Sequence, residues 1–96
     1  MGRKKLADAY EEHSEWKASL ESWHKAAKEA AWRHFADVRQ TWRSADRVGE
    51  CVVFDISHNR CRLIANINYP NQRLIILHVL SHAEYDKNRW KNDCCA

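Results

Sequence analysis

Three stretches in the last third of the chain decide its fold: Arg60-Cys61-Arg62-Leu63-Ile64-Ala65, then RLIILHVL at residues 73–80, then Ser81-His82-Ala83-Glu84-Tyr85-Asp86-Lys87. The first two are rich in Ile, Leu and Val, which is typical of β-strands. The third, with the histidine just before it, places two histidines, one tyrosine, two acids and one lysine within ten residues. We therefore predict a rigid pair of strands with a cluster of titratable groups at its end.

Apolar residues alternate with a period of two from residue 51 onward, as in half-buried strands. We predict strands over residues 51–56, 60–67 and 73–80, joined by turns at 57–59 and 68–72. In the second strand Leu63 and its alternate neighbours are predicted to face the helices. Arg60 and Arg62 are then expected on the opposite, open face of the sheet.

The first half of the chain has the spacing of amphipathic helices. Residues 3–13 are predicted to form a first helix, and Ser14 to cap a second that runs to about Arg33. The apolar side of this second helix is predicted to be core, and it is formed by Trp16, Leu20, Trp23 and Ala27. A third, short helix is predicted over residues 36–42, followed by a polar loop over 43–50 with a turn at Gly49.

A short last helix is predicted after Ser81, because Ser81 and Glu84 have the S-x-x-E spacing of a capping box. Residues 88–96 are predicted to fray, apart from Trp90 folding back onto the domain. Helices followed by three antiparallel strands give an α+β fold, with one domain over residues 1–96.

Composition and charge narrow the class of protein. There is no run of about 18 apolar residues and no apolar segment of a signal peptide near Met1, so we expect a cytoplasmic protein without a membrane span. The formal charge of +3 is modest, but six arginines and only three acids lie between Arg39 and Arg73. This excess indicates either a solvated face or a surface for nucleic acid.

The four cysteines have no C-x-x-C spacing, so no metal site is predicted, and all four are expected to be thiols. A two-residue loop at Ser57-His58 would place Cys51 opposite Ile64 and Cys61 opposite Phe54. We therefore predict that Cys51 and Cys61 are not bonded to each other.

Two motifs carry a resemblance to a known family: N-x-x-R-L-I-A, ending at Ala65, and H-V-L-S-H-x-E-Y-D-K-x-x-W, from His78 to Trp90. Together they resemble the HigB toxins of bacterial type II toxin-antitoxin modules, a branch of the RelE-like mRNA interferases. Shorter matches extend the resemblance toward the start of the chain, and these are Arg3-Lys4-Lys5-Leu6, Ala36-Asp37-Val38-Arg39, Ser44-Ala45-Asp46 and Val52-Val53-Phe54-Asp55-Ile56. The family pattern at the last of these reads V-V-F-N-I. The resemblance implies a RelE-like fold, with two to three N-terminal helices on a three-stranded antiparallel sheet and a short C-terminal helix.

Three positions depart from the family pattern. The family usually begins with a short apolar strand, where this chain has only Met1-Gly2, so one strand of the sheet is expected to be missing. The proline usual before Ser44 is Arg43, and the Gly-Gly usual in the hairpin is Ser57-His58.

The resemblance also implies a function: a ribosome-dependent endoribonuclease that cleaves translated mRNA and inhibits translation. The implied partners are a HigA-like antitoxin, which would form a hetero-oligomer with the toxin, the ribosome and mRNA. Neither a cofactor nor a membrane is implied. The alternative is a non-cleaving RelE/ParE-type toxin, or an inactive remnant that acts only as a binding partner.

Metal-independent RNA cleavage needs a base for the ribose 2′-OH, a cation for the phosphorane and an acid for the leaving 5′-oxygen. The predicted catalytic residues are Arg62 for charge stabilisation, His82 and His78 for proton transfer, and Tyr85 for proton transfer or base stacking. The predicted RNA-binding residues are Arg60, Lys87 and Arg73. Each has a structural alternative: His82 as a helix cap, His78 as a buried strand histidine, Tyr85 as a core residue, and the cations as solvated side chains.

Overall fold

The computed structural model describes residues 3–56 and 61–93, with side chains described for 4–56 and 61–91. The helices are α1 (Arg3–Glu12), α2 (Lys17–Glu29), α3 (Phe35–Thr41) and α4 (His82–Asp86). The strands are β1 (Asp46–Val48), β2 (Cys51–Ile56), β3 (Cys61–Asn68) and β4 (Arg73–Ser81), and short 3-10 turns span Ser14–Trp16 and Arg89–Asp93. Outside the described residues lie Met1-Gly2, the predicted turn Ser57-His58-Asn59, Arg60 and the last three residues, Cys94-Cys95-Ala96.

The first three helices pack on one face of the sheet, as predicted. Trp23 of α2 meets Phe54 of β2 edge to face, with ring centroids 5.2 Å apart. The predicted extent of α2 is wrong at both ends. It begins at Lys17 after the 3-10 turn, without a side-chain cap from Ser14, and it ends at Glu29. The early end lets Trp32 turn inward, where it stacks on Phe54 and its Nε1 donates to Thr41 Oγ1 at 3.0 Å.

The sheet has four antiparallel strands in the order β1-β2-β3-β4, so the prediction of three strands is wrong. The additional strand β1 lies in the segment predicted to be a loop. Gly49 has φ 57, which is a conformation that glycine adopts without strain, and it turns the chain so that Val48 pairs with Cys51. Asp46 and Arg47 are both exposed, so the strand carries no alternation of apolar and polar residues that a sequence pattern could reveal.

The register between β2 and β3 differs from the prediction by two residues. Cys51 lies opposite Asn66, and Cys61 lies opposite Ile56. Cys61 is a buried free thiol, which confirms that it is not bonded to Cys51. Cys51 itself is disulfide-bonded, so the prediction that every cysteine is a thiol is wrong for this residue. Burial raises the pKa of the Cys61 thiol to about 12, against the opposing effect of the adjacent Arg62.

The face of the sheet away from the helices is partly covered, which corrects the expectation of an open face. Trp90, which folds back as predicted, forms a second apolar cluster there with the buried Val53 and Ile64. Leu77, Leu80 and Tyr85 pack around this cluster. We call this side the outer face. The protein therefore has a large core beneath the helices and a small one beneath Trp90.

A bulge in β4 changes which face its side chains occupy. Ile64 pairs with His78 while the next residue, Ala65, pairs with Ile76, so Leu77 is the extra residue. Regular alternation would place His78 on the same face as Ile76, beneath the helices. Because the bulge shifts the alternation by one residue, His78 instead shares the outer face with Ile64.

The predicted capping box at the start of α4 is confirmed. The Glu84 backbone N–H donates to Ser81 Oγ at 3.2 Å, and the Ser81 N–H donates to Glu84 Oε1 at 3.3 Å. None of the helices in the described part of the chain combines the length and apolar character needed to cross a membrane.

Candidate active site

Arg62 lies at the centre of the polar part of the outer face. It is paired in the ladder with Asp55, whose Oδ1 lies 2.6 Å from the Arg62 Nε. The Arg62 side chain is only 12% exposed and that of Asp55 29%. An ion pair with so little exposure is weakly screened by solvent, so the guanidinium group is held in a fixed position.

Asp55 is anchored through its backbone as well. Its carbonyl oxygen accepts from Trp42 Nε1 at 2.8 Å and from Ser44 Oγ at 3.2 Å. These two donors come from the segment between α3 and β1 and take the place of a ladder partner, because β1 begins only at Asp46, opposite Val53. The carboxylate that holds Arg62 is therefore fixed from both its main chain and its side chain.

Two aromatic rings complete this half of the site. The Arg62 guanidinium carbon lies 5.1 Å from the centre of the Tyr85 ring, and the Tyr85 ring stacks on Trp90 at 5.0 Å with an interplanar angle of 14°. Trp90 Nε1 also donates to the Tyr85 carbonyl at 2.9 Å. We call Asp55, Arg62, Tyr85 and Trp90 the arginine stack.

Tyr85 is held in its neutral form. Burial raises the pKa of its phenol, and the nearby carboxylates of Asp46, Asp55 and Asp86 raise it further, while Arg62 lowers it. A neutral phenol can donate a hydrogen bond or a proton. Because its ring already contacts Arg62 and Trp90, the arrangement favours proton transfer by its hydroxyl over base stacking.

His82 begins α4 and is exposed to solvent. Its Nδ1 lies 3.4 Å from Asp86 Oδ2 one helical turn later, and both side chains are more than half exposed. His82 and Tyr85 are three residues apart, so they are neighbours on the helix surface. The carboxylate can orient the imidazole ring so that its second nitrogen faces a substrate.

A small cationic pocket adjoins the arginine stack. This cavity of about 250 Å³ is lined by His78, Leu80, Glu84, Lys87, Arg89 and Trp90. We call it the histidine pocket. Trp90 belongs to both parts, and Leu80 lies opposite Arg62 in the ladder, so the two parts form one surface. The pocket combines a histidine with two cations, which suits binding of a phosphate group.

The predicted site residues are thus brought together with two exceptions. Arg62, Tyr85, His78 and Lys87 share the outer face, and His82 is a neighbour of Tyr85 on α4. Arg60 lies outside the described residues. Arg73 begins β4, whose other end carries the site, and at about 3.3 Å per residue this places it roughly 26 Å from Ser81.

Sequence reasoning missed three residues of the site. Asp55 reads as an ordinary polar position on a strand, although its place in the family pattern, where asparagine is usual, singles it out. Arg89 was included in a fraying tail. Trp90 was expected to fold back, but its stacking on Tyr85 depends on tertiary contacts that no spacing reveals.

In the part of the chain that the structure describes, no three or more His, Cys, Asp or Glu side chains are placed to bind a metal ion. The chemistry that the described side chains can supply is proton transfer by His82, His78 and Tyr85, and charge stabilisation by Arg62, Lys87 and Arg89.

Comparison with known proteins agrees with the resemblance drawn from the motifs. The mRNA interferase HigB of Escherichia coli O6:H1 is 32% identical to this chain over 72 residues, which cover 72% of this chain and 70% of the relative. A family profile, described as HigB toxin, RelE-like toxic component of a toxin-antitoxin system, matches residues 16–88. This chain therefore belongs to the HigB toxins, a family of RelE-like toxic components of toxin-antitoxin systems.

Proposed function

We propose that this protein is the toxin of a type II toxin-antitoxin module and an endoribonuclease that cleaves translated mRNA on the ribosome without a metal ion. The E. coli relative is named an mRNA interferase, and membership of the same family supports carrying that activity over. In this proposal the toxin acts in the cytoplasm, inhibits translation and is neutralised in a hetero-oligomer with a HigA-like antitoxin.

The observation that carries the proposal is the position of Arg62 between Asp55 and Tyr85. Attack of the ribose 2′-OH on the adjacent phosphorus gives a phosphorane with additional negative charge, and expels the 5′-oxygen as the P–O5′ bond breaks. A fixed guanidinium stabilises that charge, since its planar fork matches two phosphate oxygens. The neutral phenol of Tyr85 can give the expelled oxygen its proton.

The remaining roles follow from exposure and neighbours. His82 is exposed and held by Asp86, so it is assigned as the base that removes the 2′-OH proton. His78, Lys87 and Arg89 line the histidine pocket and are assigned to the phosphate of a neighbouring nucleotide, with His78 as a second candidate for proton transfer. Arg60 and Arg73 are assigned only to outer contacts with the RNA backbone.

Mapping of RNA ends in a reconstituted translation reaction tests the proposal. The parent should cut mRNA on ribosomes to give a 2′,3′-cyclic phosphate, or its hydrolysis product, and a 5′-OH. Naked mRNA should remain intact. His82→Ala should slow cleavage by roughly 100-fold or more, the usual contribution of a positioned acid or base. Arg62→Lys should slow it at least about tenfold, which corresponds to about 1.4 kcal/mol, because lysine keeps the charge but not the fork.

Two controls separate chemistry from folding. Arg33→Ala removes an exposed arginine between α2 and α3 and should leave cleavage unchanged. Leu63→Ala removes a fully buried side chain, so it should destabilise the fold by about 2–5 kcal/mol, and any lost activity should follow lost folding. A chelator of transition metals that leaves ribosomal magnesium in place should have no effect. Loss of cleavage on chelation would contradict the metal-independent mechanism.

Binding without cleavage is the competing function, and the low exposure of the Arg62 side chain favours it. A toxin of this kind would stop growth while leaving mRNA ends unchanged. Normal toxicity of both Arg62→Ala and His82→Ala with intact mRNA would establish this alternative and remove the arginine stack from the mechanism.

A further inference from the structure

A second polar cavity lies between α2 and the segment that joins α3 to β1. This open cleft of about 580 Å³ is lined by Ser19 and Ser22 on one side and by Thr41, Trp42, Arg43 and Ser44 on the other, with Ala18 and Asp55 completing it. It shares only Asp55 with the candidate active site. The proposed reaction uses none of its other residues.

The cleft is open because α2 presents small side chains here. Ser19 and Ser22 are three residues apart, so they lie next to each other on the helix surface, and Ala18 adjoins them. Their hydroxyl groups have no hydrogen-bond partner among the described residues, and each can donate to an anion. Larger side chains at these positions would occupy the space in front of Trp42.

Arg43 supplies the positive charge of the cleft. It is exposed, and it has no ion-pair partner among the described side chains of residues 4–56 and 61–91. The donors next to it are already used: Trp42 and Ser44 bond to the Asp55 carbonyl, and Thr41 Oγ1 bonds to the Asp37 carbonyl and accepts from Trp32. Arg43 is thus an available cation on a fixed support.

One residue, Asp55, connects the cleft to the candidate active site. Trp42 and Ser44, which line the cleft, hold the Asp55 carbonyl, and the Asp55 carboxylate holds Arg62. A ligand group in the cleft would therefore lie next to the strand end that presents Arg62. The lining residues other than Ala18 and Trp42 carry polar groups, and Arg43 gives the cleft a cation that can pair with an anionic group.

We infer that this cleft is an RNA-backbone subsite, in which Arg43, Ser19 and Ser22 bind a phosphodiester group of the RNA outside the reacting nucleotides. The inference rests on the proposed function and extends it by naming where the substrate is held beyond the reacting nucleotides. The phosphate belongs either to mRNA or to ribosomal RNA, which present the same chemistry.

The substitution Arg43→Pro tests the subsite without endangering the fold. The Ala45 N–H bonds to the Trp42 carbonyl at 3.1 Å, so residues 42–45 form a turn with Arg43 at its second position, where proline is favoured. The melting temperature of Arg43→Pro should equal or exceed that of the parent. Both proteins carry His82→Ala to exclude any residual cleavage, and the binding of a fluorescent single-stranded RNA is titrated at several salt concentrations.

Arg43→Pro should weaken RNA binding roughly fivefold to tenfold, and lower the slope of log K against log salt by about 0.7, the value for one phosphate contact on a single strand. Arg43→Lys should retain the parental slope, because it keeps the charge. Arg39→Ala, an exposed arginine on α3 outside the cleft, should bind within about twofold of the parent. Ribosomes without mRNA form a parallel arm, and a loss confined to that arm would assign the phosphate to ribosomal RNA.

Equal RNA affinity and equal salt slopes for Arg43→Pro and the parent in both arms would overturn the inference. So would a loss of antitoxin affinity with no loss of RNA affinity, since the cleft would then serve a protein partner. Normal RNA binding by Arg43→Pro, together with loss of cleavage in His82→Ala, would refute the subsite and still support the proposed nuclease activity. Absence of binding to both RNA and ribosomes by the parent would refute the subsite and the proposed function together.

Discussion

Arg62 derives its fixed position from a neighbour in the ladder. The ion pair with Asp55 is partly buried, and such pairs add little net stability because desolvation offsets attraction, but breaking one leaves an uncompensated charge. The ion pair therefore fixes the position of the Arg62 guanidinium group more than it stabilises the fold. It also lets a cation, a phenol and three carboxylates coexist within one small region.

The pKa of the Tyr85 phenol tests how these neighbouring charges act on the site. The pKa of this phenol is raised in the folded state above its ordinary value near 10. Its contribution to the free energy of unfolding is therefore fully present below about pH 10 and is lost as pH rises through the folded-state pKa. Asp55→Asn removes one of the charges that raise the pKa and leaves the effect of Arg62. We expect the Tyr85 pKa to fall, as measured by phenolate absorbance with Tyr85→Phe subtracted. An unchanged or higher value would contradict this account of the site.

At the scale of single elements, α4 depends on its cap. The helix has only five residues, and a helix this short is not stable on its own. It nevertheless carries both His82 and Tyr85. The Ser81-Glu84 capping box is thus the local interaction that fixes the two proposed proton-transfer groups at the end of β4.

Removal of this cap should be measurable in both stability and activity. Ser81→Ala should lower the free energy of unfolding by about 1 kcal/mol, because the Glu84 N–H loses its acceptor. Cleavage should fall as well, although Ser81 does not contact RNA in the proposed mechanism. Ser81→Thr keeps the hydroxyl and should restore most of both. Urea unfolding measures the stability, and mapping of RNA ends measures the cleavage, of the same preparations. Full activity of Ser81→Ala would show that α4 does not need its cap.

The elements also show what the sequence could predict. The capping box, the helix-facing side of β3 and the apolar stripe of α2 follow from local spacing, and each is confirmed. The strand β1 and the bulge at Leu77 do not, because β1 has exposed polar residues and a bulge leaves no mark in an apolar strand. The bulge matters for the proposed site, since it places His78 on the outer face.

The candidate site was predictable to a similar degree. A motif of titratable residues on one short helix identifies Tyr85 and His82 as neighbours. The partner of Arg62 depends on the register between β2 and β3. The predicted register differs by two residues, because four residues separate the paired strands and the prediction assumes a two-residue loop. Asp55 and Trp90 enter the site only through the folded sheet.

The whole molecule is organised around two cores on opposite faces of one sheet. The larger is formed by the helices and contains most buried residues, while the smaller rests on Trp90. Because Trp90 stacks on Tyr85 and lines the histidine pocket, the smaller core is also the support of the site. We therefore expect stability and the proposed function of this face to depend on the same side chain.

Substitution of Trp90 should separate its packing from its hydrogen bond. Trp90 is 2% exposed, so Trp90→Ala should cost about 3–5 kcal/mol, a large part of the 5–15 kcal/mol expected for a whole domain. Trp90→Phe keeps a ring against Tyr85 but loses the bond from Nε1 to the Tyr85 carbonyl, so a smaller loss of about 1–2 kcal/mol is expected. Urea denaturation measures both.

The same pair of variants should also affect Tyr85 differently. In Trp90→Ala the phenol loses the ring that covers it, and since burial is the largest cause of its raised pKa, that pKa should fall toward its ordinary value. In Trp90→Phe it should stay close to that of the parent. If Trp90→Ala unfolds within about 1 kcal/mol of the parent and leaves the Tyr85 pKa unchanged, the outer core contributes little, and the arginine stack must be held by β2 and β3 alone.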